Sequence, residues 1–260
     1  MPILSGIWES IEVGQFFAVA CTDRNREQVD ELPMSIAENL QIIRDRIAAA
    51  VERAGRSPDD VRLVAVSKTF PAEAVREAFE NGGQVVFGEN KVQEGIDKVP
   101  VLPESLEWHL IGHLQSNKIR KALPLFDWIE TVDSRKRAQQ IDRIAGELEL
   151  KPNLLLQVNI GADDAKFGYA PETVRTELEA ILDLENIEVR GLMTIPPVEE
   201  NPDATRRHFA ALRELRDSLA NQTGASLPEL SMGMSGDFEL AIEEGATLVR
   251  VGSAIFGARG

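Results

Sequence analysis

One segment separates a closed barrel from an open sheet in this chain: Val61-Arg62-Leu63-Val64-Ala65-Val66-Ser67-Lys68-Thr69-Phe70-Pro71. Its first part is a short apolar run rich in β-branched residues, which is typical of a parallel strand covered on both faces. An open doubly wound sheet usually carries a glycine-rich turn after its first strand, and no glycine follows this run. The segment therefore favours a closed (β/α)8 barrel.

The rest of the chain repeats the same unit, in which a short apolar run is followed by a longer helical pattern. Eight runs predict strands over residues 61–67, 84–87, 108–111, 128–132, 153–160, 189–194, 230–232 and 248–252. Between them, helical spacing predicts helices over residues 73–81, 92–99, 117–123, 135–149, 172–184, 204–221 and 238–244. Eight parallel strands close a filled barrel. We therefore assign the chain to the α/β class, as a single TIM barrel.

A further helix is predicted before the first strand. Ser35 and Glu38 form a capping-box pattern, and apolar residues three and four apart continue it to about Gly55. Few residues follow the last strand, so we expect this helix to fill the eighth position of the outer ring. Residues 35–260 are predicted to form the barrel domain and residues 1–34 a poorly ordered N-terminal extension.

Composition and charge exclude several classes of function. The 260 residues include 28 Lys and Arg against 43 Asp and Glu, a net charge of −15, which argues against broad contact with nucleic acid or anionic membranes. Cys21 is the only cysteine, which excludes a disulfide framework and a multi-cysteine metal site. His109 and His113 lie in a strand-and-turn pattern without further ligands, so no metal site is predicted. Residues 16–21 are apolar but follow no Lys or Arg, so we expect a cytoplasmic protein, not an exported one.

Barrels of this type place their sites at the carboxyl ends of the strands, and the loops after strands seven and eight often hold phosphate. Lys68 stands at such an end. A lysine that leaves an apolar strand is desolvated, which favours the neutral amine that forms a Schiff base with a carbonyl. Its alternative role is structural, with a packed stem and a solvated head.

Two turns in the predicted phosphate position carry small and hydroxyl-bearing residues. One is Ser231-Met232-Gly233-Met234-Ser235-Gly236-Asp237, before the last long helix, and the other is Gly252-Ser253. Backbone amides and hydroxyls in such turns bind anions, although the same residues could serve only as helix caps.

Arg250 interrupts the last apolar strand between two valines. Because side chains alternate across a strand, the arginine is predicted to point into the barrel. There it has two open roles, a partner for the ring nitrogen of pyridoxal phosphate (PLP) or a structural ion pair. Asn90 ends the second strand and could bind a phenolic oxygen or cap the next helix.

Six blocks in order, from about Ser35 to the end, resemble the YggS-type PLP homeostasis proteins, also called PROSC. They are Ala65-Val66-Ser67-Lys68, Phe87-Gly88-Glu89-Asn90-Lys91-Val92-Gln93-Glu94, Trp108-His109-Leu110-Ile111-Gly112-His113-Leu114-Gln115-Ser116-Asn117-Lys118, Gly191-Leu192-Met193-Thr194-Ile195-Pro196, Leu230-Ser231-Met232-Gly233-Met234-Ser235 and Val249-Arg250-Val251-Gly252-Ser253-Ala254-Ile255-Phe256-Gly257. The family shares its fold-type III barrel with the N-terminal domain of alanine racemase. Its members typically begin near Met34, so residues 1–33 depart from the pattern.

The resemblance implies a set of roles around bound PLP. Lys68 would form the internal aldimine, and Arg250 would face the pyridine nitrogen. The phosphate would be held by Ser231, Gly252 and Ser253, and Asn90 and Met193 would line the cofactor.

The resemblance also implies a cofactor carrier that takes part in vitamin B6 homeostasis and does not turn over amino acids efficiently. An arginine at the ring nitrogen weakens the electron sink that stabilises a substrate carbanion, although racemases still manage with it. Racemases also use a second base and a β domain, whereas this chain has one tyrosine, Tyr169, and stops soon after strand eight. The expected partners are PLP and PLP-dependent apoenzymes, and the expected state is a monomer. The alternatives are a fold-type III racemase or decarboxylase and a Schiff-base aldolase for sugar phosphates.

Overall fold

Eight parallel strands alternate with helices and close into a barrel in the order β1 to β8. The computed structural model describes residues 34–163, 166–197 and 199–257, so the predicted N-terminal extension lies outside the described residues except for Met34. The strands are β1 Arg62–Val66, β2 Val86–Glu89, β3 Glu107–Leu110, β4 Trp128–Val132, β5 Asn153–Gln157, β6 Glu188–Met193, β7 Glu229–Ser231 and β8 Leu248–Val251. The predicted TIM barrel is confirmed.

The helices follow the predicted segments closely. They are α1 Ile36–Arg53, α2 Ala72–Glu80, α3 Val92–Lys98, α4 Ile119–Ala122, α5 Arg135–Glu147, α6 Pro171–Leu182, α7 Pro202–Thr223, α8 Phe238–Glu243 and the single turn α9 Ser253–Phe256. Short 3-10 helices cover Pro58–Asp60, Val99–Val101 and Ser116–Lys118.

Helix α1 occupies the eighth position of the outer ring. The Glu38 amide donates to the Ser35 hydroxyl and the Ser35 amide donates to the Glu38 carboxylate, so the predicted capping box is present. Its apolar face packs against α8, α9 and α2. The ring is thus closed by a helix that comes before the first strand.

Strand β2 lies two residues later than predicted. The sequence places it at residues 84–87, but Gln84 uses its side-chain amide to cap the backbone carbonyls of Leu63 and Val86. Pairing then continues through Gly88, where a Cβ would lie 3.0 Å from the Val64 side chain. The glycine marks a crowded point inside the barrel, not the end of the strand.

Side chains point alternately to the two faces of each strand, and this produces two apolar layers. One lies between the strands and the helices and includes Phe87, Val249 and Val251. The other fills the barrel interior, and its members are Val64, Val86, Trp128, Leu155, Met193 and Leu248. Arg250 lies between the two valines in sequence and therefore faces the interior side, as its position predicts.

Within the described residues, no helix is both long and apolar enough to cross a bilayer.

Candidate functional site

A cavity of about 250 Å³ lies at the carboxyl end of the barrel. It draws residues from the ends of β1, β2, β3, β6, β7 and β8, as barrel sites do. Its lining consists of Val66, Lys68, Asn90, Ile111, Ile195, Met234, Ser235, Gly236, Arg250, Gly252 and Ser253. Five of the seven residues that the sequence proposes for the site therefore meet in one cavity.

Lys68 and Asn90 enter this cavity from neighbouring strands. Lys68 comes two residues after β1 and is half-buried, and Asn90 directly follows β2. The Asn90 backbone is approached closely by Gly112, where a Cβ would lie 2.0 Å from the Asn90 carbonyl oxygen. Only a residue without a side chain permits this approach, so Gly112 sets the position of Asn90 at the rim.

The turns after β7 and β8 meet through their hydroxyl groups. The Gly252 amide donates to Ser235 Oγ at 3.3 Å, and Ser253 Oγ donates to the same oxygen at 3.4 Å. Both turns contribute small residues to the cavity lining. The arrangement offers hydroxyl and amide donors to an anion.

Arg250 forms the cationic floor of the cavity. Its side chain is 3% exposed. Nη1 donates to Ser231 Oγ at 2.5 Å and Nη2 donates to the Thr194 carbonyl at 2.8 Å. Glu130 Oε2 lies 3.9 Å from Nη1. Two neutral acceptors and one carboxylate therefore hold the guanidinium in a fixed plane.

An interior polar chain, formed by Arg250, Ser231, Glu130, His109 and Glu107, continues from there across the barrel. Ser231 Oγ donates to Glu130 Oε2 at 2.5 Å. The other oxygen of Glu130 lies 2.6 Å from His109 Nδ1, and His109 Nε2 lies 2.8 Å from Glu107 Oε1. The interior polar chain links the cavity to the opposite end of the barrel.

The charges within the interior polar chain follow from the contacts of its residues. Burial by itself disfavours the imidazolium, but hydrogen bonds to Glu107 and Glu130 outweigh it and raise the pKa of His109. Burial likewise opposes ionisation of Glu130, yet His109 and Arg250 lower its pKa. Because a carboxylate accepts at each ring nitrogen, His109 donates from both and is held as the cation.

Ser231 and Met193 are not among the residues that line the cavity. Ser231 is fully buried beneath it and bonds to Arg250 and Glu130. Met193 is packed in the apolar interior cluster. The hydroxyl that reaches the cavity from the turn after β7 is that of Ser235, four residues later. The sequence singles out this turn, but it does not tell which of its two serines points inward.

No local sequence pattern points to two other polar residues near the site, Glu130 and Lys98. Glu130 lies in a strand of buried residues and gives no local signal. Lys98 is placed on a helix and reads as a surface residue, yet it is 7% exposed. Both are recognisable only once strands and helices that are distant in sequence are brought together.

Comparison with known proteins agrees with this architecture. Residues 38–260 match the family model described as alanine racemase, N-terminal domain. The chain is 45% identical over 227 residues to a pyridoxal phosphate homeostasis protein of Aquifex aeolicus, covering 87% of this chain and 99% of that protein. It is 43% identical over 231 residues to the protein of the same name from Escherichia coli K12, covering 86% and 97%.

Solved structures show the same relationship. PipY of Synechococcus elongatus, whose structure holds bound PLP, superposes with a TM-score of 0.77 at 45% identity and covers 86% of this chain and 100% of its own. Alanine racemase of Clostridium difficile superposes with a TM-score of 0.69 at 18% identity, covering 85% of this chain and 57% of its own, which shows a shared fold. The chain belongs to the family of pyridoxal phosphate homeostasis proteins.

Proposed function

We propose that this protein binds pyridoxal 5'-phosphate covalently through Lys68 and serves in PLP homeostasis. The observation that carries the proposal is that the Lys68 side chain, the hydroxyl-bearing turns after β7 and β8, and Arg250 line one cavity. The names of the relatives and the PLP bound in the PipY structure support it.

The residues of the cavity fit the cofactor. When bound, PLP supplies an aldehyde that condenses with a primary amine and releases water. We assign Lys68 as that amine, and Ser235, Gly252 and Ser253 as donors to the phosphate. Arg250 would face the pyridine ring from the floor of the barrel, and Asn90 would line the rim. Ser231 acts through Arg250, and Met193 supports the site through packing.

We further propose that the protein holds PLP without efficient turnover of amino acids. A racemase needs a second proton-transfer group opposite the lysine. The single tyrosine, Tyr169, is 3% exposed and packs in the layer between strands and helices, away from the lining described above. Burial also raises its pKa, which makes it a poor acid at neutral pH. The tyrosine is thus not placed for that role.

The test is spectroscopic and chemical. The purified protein with added PLP is expected to show the absorption band of a lysine-linked pyridoxal. Borohydride reduction followed by peptide mass mapping is expected to place a pyridoxyl group on Lys68. A substrate-carbon adduct on Lys68 would indicate an aldolase, and robust turnover of D- or L-amino acids would indicate a racemase or decarboxylase. Absence of any lysine-linked band would refute the proposal.

Ser235→Ala is expected to weaken PLP retention. Loss of one hydroxyl donor to a charged phosphate costs about 1–3 kcal/mol, which corresponds to a dissociation constant raised roughly 5- to 150-fold. Equilibrium dialysis measures the change. Ser57→Ala, at an exposed serine before β1, is the matched control and is expected to leave retention unchanged. Equal retention in the two variants would remove Ser235 from the phosphate site.

The proposal includes a cytoplasmic monomer that delivers PLP to PLP-dependent apoenzymes. Size-exclusion chromatography with light scattering tests the oligomeric state. Transfer is tested by mixing the loaded protein with an apoenzyme and measuring recovery of its activity against free PLP at the same concentration.

A further inference from the structure

Two acidic residues and one lysine surround the backbone that carries Lys68. They are Glu89 at the end of β2 and Glu94 and Lys98 on α3. None of them lines the cavity described above. Their contacts reach Ser67 and Thr69, which adjoin Lys68 on its two sides.

Ser67, which precedes Lys68, has two contacts with this cluster besides its two backbone hydrogen bonds. Its hydroxyl donates to Glu89 Oε1 at 2.7 Å, and its carbonyl accepts from Lys98 Nζ at 2.9 Å. Lys98 Nζ also donates to Glu89 Oε1 at 2.7 Å. The side chains of Glu89 and Lys98 are 0% and 8% exposed, so these contacts are shielded from water.

Thr69, which follows Lys68, is bound once and is strained. Its φ of 71° lies in the left-handed region, which a β-branched residue adopts only under restraint. Its amide donates to Glu94 Oε2 at 2.6 Å, and the same oxygen lies 3.4 Å from Lys98 Nζ. Burial alone would raise the pKa of Glu94, but the Thr69 amide and the other partners outweigh it and lower that pKa. Glu94 is therefore an ionised acceptor for the strained amide.

A buried ion pair such as Glu89–Lys98 is not by itself a sign of added stability. Replacing a buried ion pair with well-packed apolar residues is often neutral or stabilising. The surrounding layer is apolar, with Ala65 and Phe87 as neighbours in the same strands. The cluster is distinguished by the position of its hydrogen-bond partners, because its hydrogen bonds converge on the residues adjoining Lys68.

We propose that Glu94 and Lys98 are positioning residues, which hold the backbone on both sides of Lys68, including the left-handed Thr69, so that the Lys68 amine points into the cavity. Strand β1 ends at Val66, and Lys68 lies in the turn that follows, which the Phe70 amide closes by donating to the Ser67 carbonyl at 3.1 Å. The carboxylate of Glu94 fixes the left-handed Thr69 of this turn, and the ammonium of Lys98 is a second donor to the Ser67 carbonyl. The inference rests on the proposed attachment of PLP at Lys68.

The first experiment compares Glu94→Ala with Glu94→Gln and with Asp97→Ala, an exposed acid on the same helix. The readout is the rate at which added PLP becomes borohydride-trappable on Lys68. Misplacement of a reacting group by about 1 Å can cost roughly a hundredfold in rate, so Glu94→Ala is expected to slow trapping between ten- and a hundredfold. Glu94→Gln keeps an oxygen acceptor for the Thr69 amide and is expected to restore most of the rate, and Asp97→Ala is expected to match the wild type. Trapping by a folded Glu94→Ala variant at the wild-type rate would overturn the proposal.

The second experiment uses the unaltered protein and no PLP. Hydrogen exchange of the Thr69 amide is expected to be slow although the residue is exposed, because Glu94 accepts its proton. Fast exchange at Thr69 overturns the proposal whether or not Glu94→Ala folds. Slow exchange in a protein that forms no PLP linkage supports the restraint and refutes the proposed function, so the two failures are distinguishable.

Discussion

Lys68→Ala is expected to abolish the covalent attachment of PLP completely. The reason is chemical, because alanine has no amine to condense with the aldehyde, whereas the rest of the cavity is unchanged. After borohydride reduction, the peptide that contains position 68 should carry no pyridoxyl group, and the absorption band of the lysine-linked cofactor should be absent. The fold should persist, since Lys68 is half-buried at a strand end and outside the apolar clusters.

Two further variants test the role of the amine. Lys68→Arg places a guanidinium in the cavity and removes the nucleophile, and it is expected to retain noncovalent binding without trapping. Lys91→Ala, at an exposed lysine next to Asn90, is the matched control and should be trapped at Lys68 as in the wild type. A pyridoxyl group that persists in Lys68→Ala at wild-type yield would place the attachment on another lysine.

The second large effect is expected at Glu130 in the interior polar chain. Its carboxylate is fully buried and accepts from Ser231 and His109, with Arg250 close by. Glu130→Ala removes the carboxylate that offsets the buried positive charges of His109 and Arg250. Removing one partner of a buried ion pair costs about 3–5 kcal/mol, and we expect a loss of that size in the free energy of unfolding measured with urea.

The control for this variant is Glu147→Ala. Glu147 pairs with Arg120 and Arg143, but its side chain is 40% exposed, and exposed pairs contribute about 0–1 kcal/mol. A loss in Glu130→Ala no larger than in this control would show that the interior polar chain does not stabilise the barrel.

The pH dependence provides a second check on Glu130. Its folded-state pKa is lowered from the ordinary value of 4.5, so its contribution is present above that pH and is lost as the pH falls through the lowered value. The gap between wild type and Glu130→Ala should therefore be widest near neutral pH and should shrink in acid. A gap that stays constant from neutral to acidic pH would contradict an ionised Glu130.

The sequence by itself determined the architecture and the position of Lys68. Apolar runs with intervening helical spacing are local patterns, and eight of them close a barrel because strand number and closure are geometrically linked. The inward direction of Arg250 also follows locally, since side chains alternate along a strand. The capping box at Ser35 requires only residues three apart.

The tertiary structure decided which polar groups meet. The choice of Ser235 over Ser231 for the cavity, the bounds of β2, and the restraint of the Lys68 backbone by Glu94 and Lys98 depend on contacts between separate elements. Ser231 and Glu130 are 101 positions apart, and Lys98 is 31 positions from Ser67. A hydrogen bond requires an approach of about 3 Å, and local periodicity cannot specify that distance between residues on different strands and helices. Only the closed barrel brings them together.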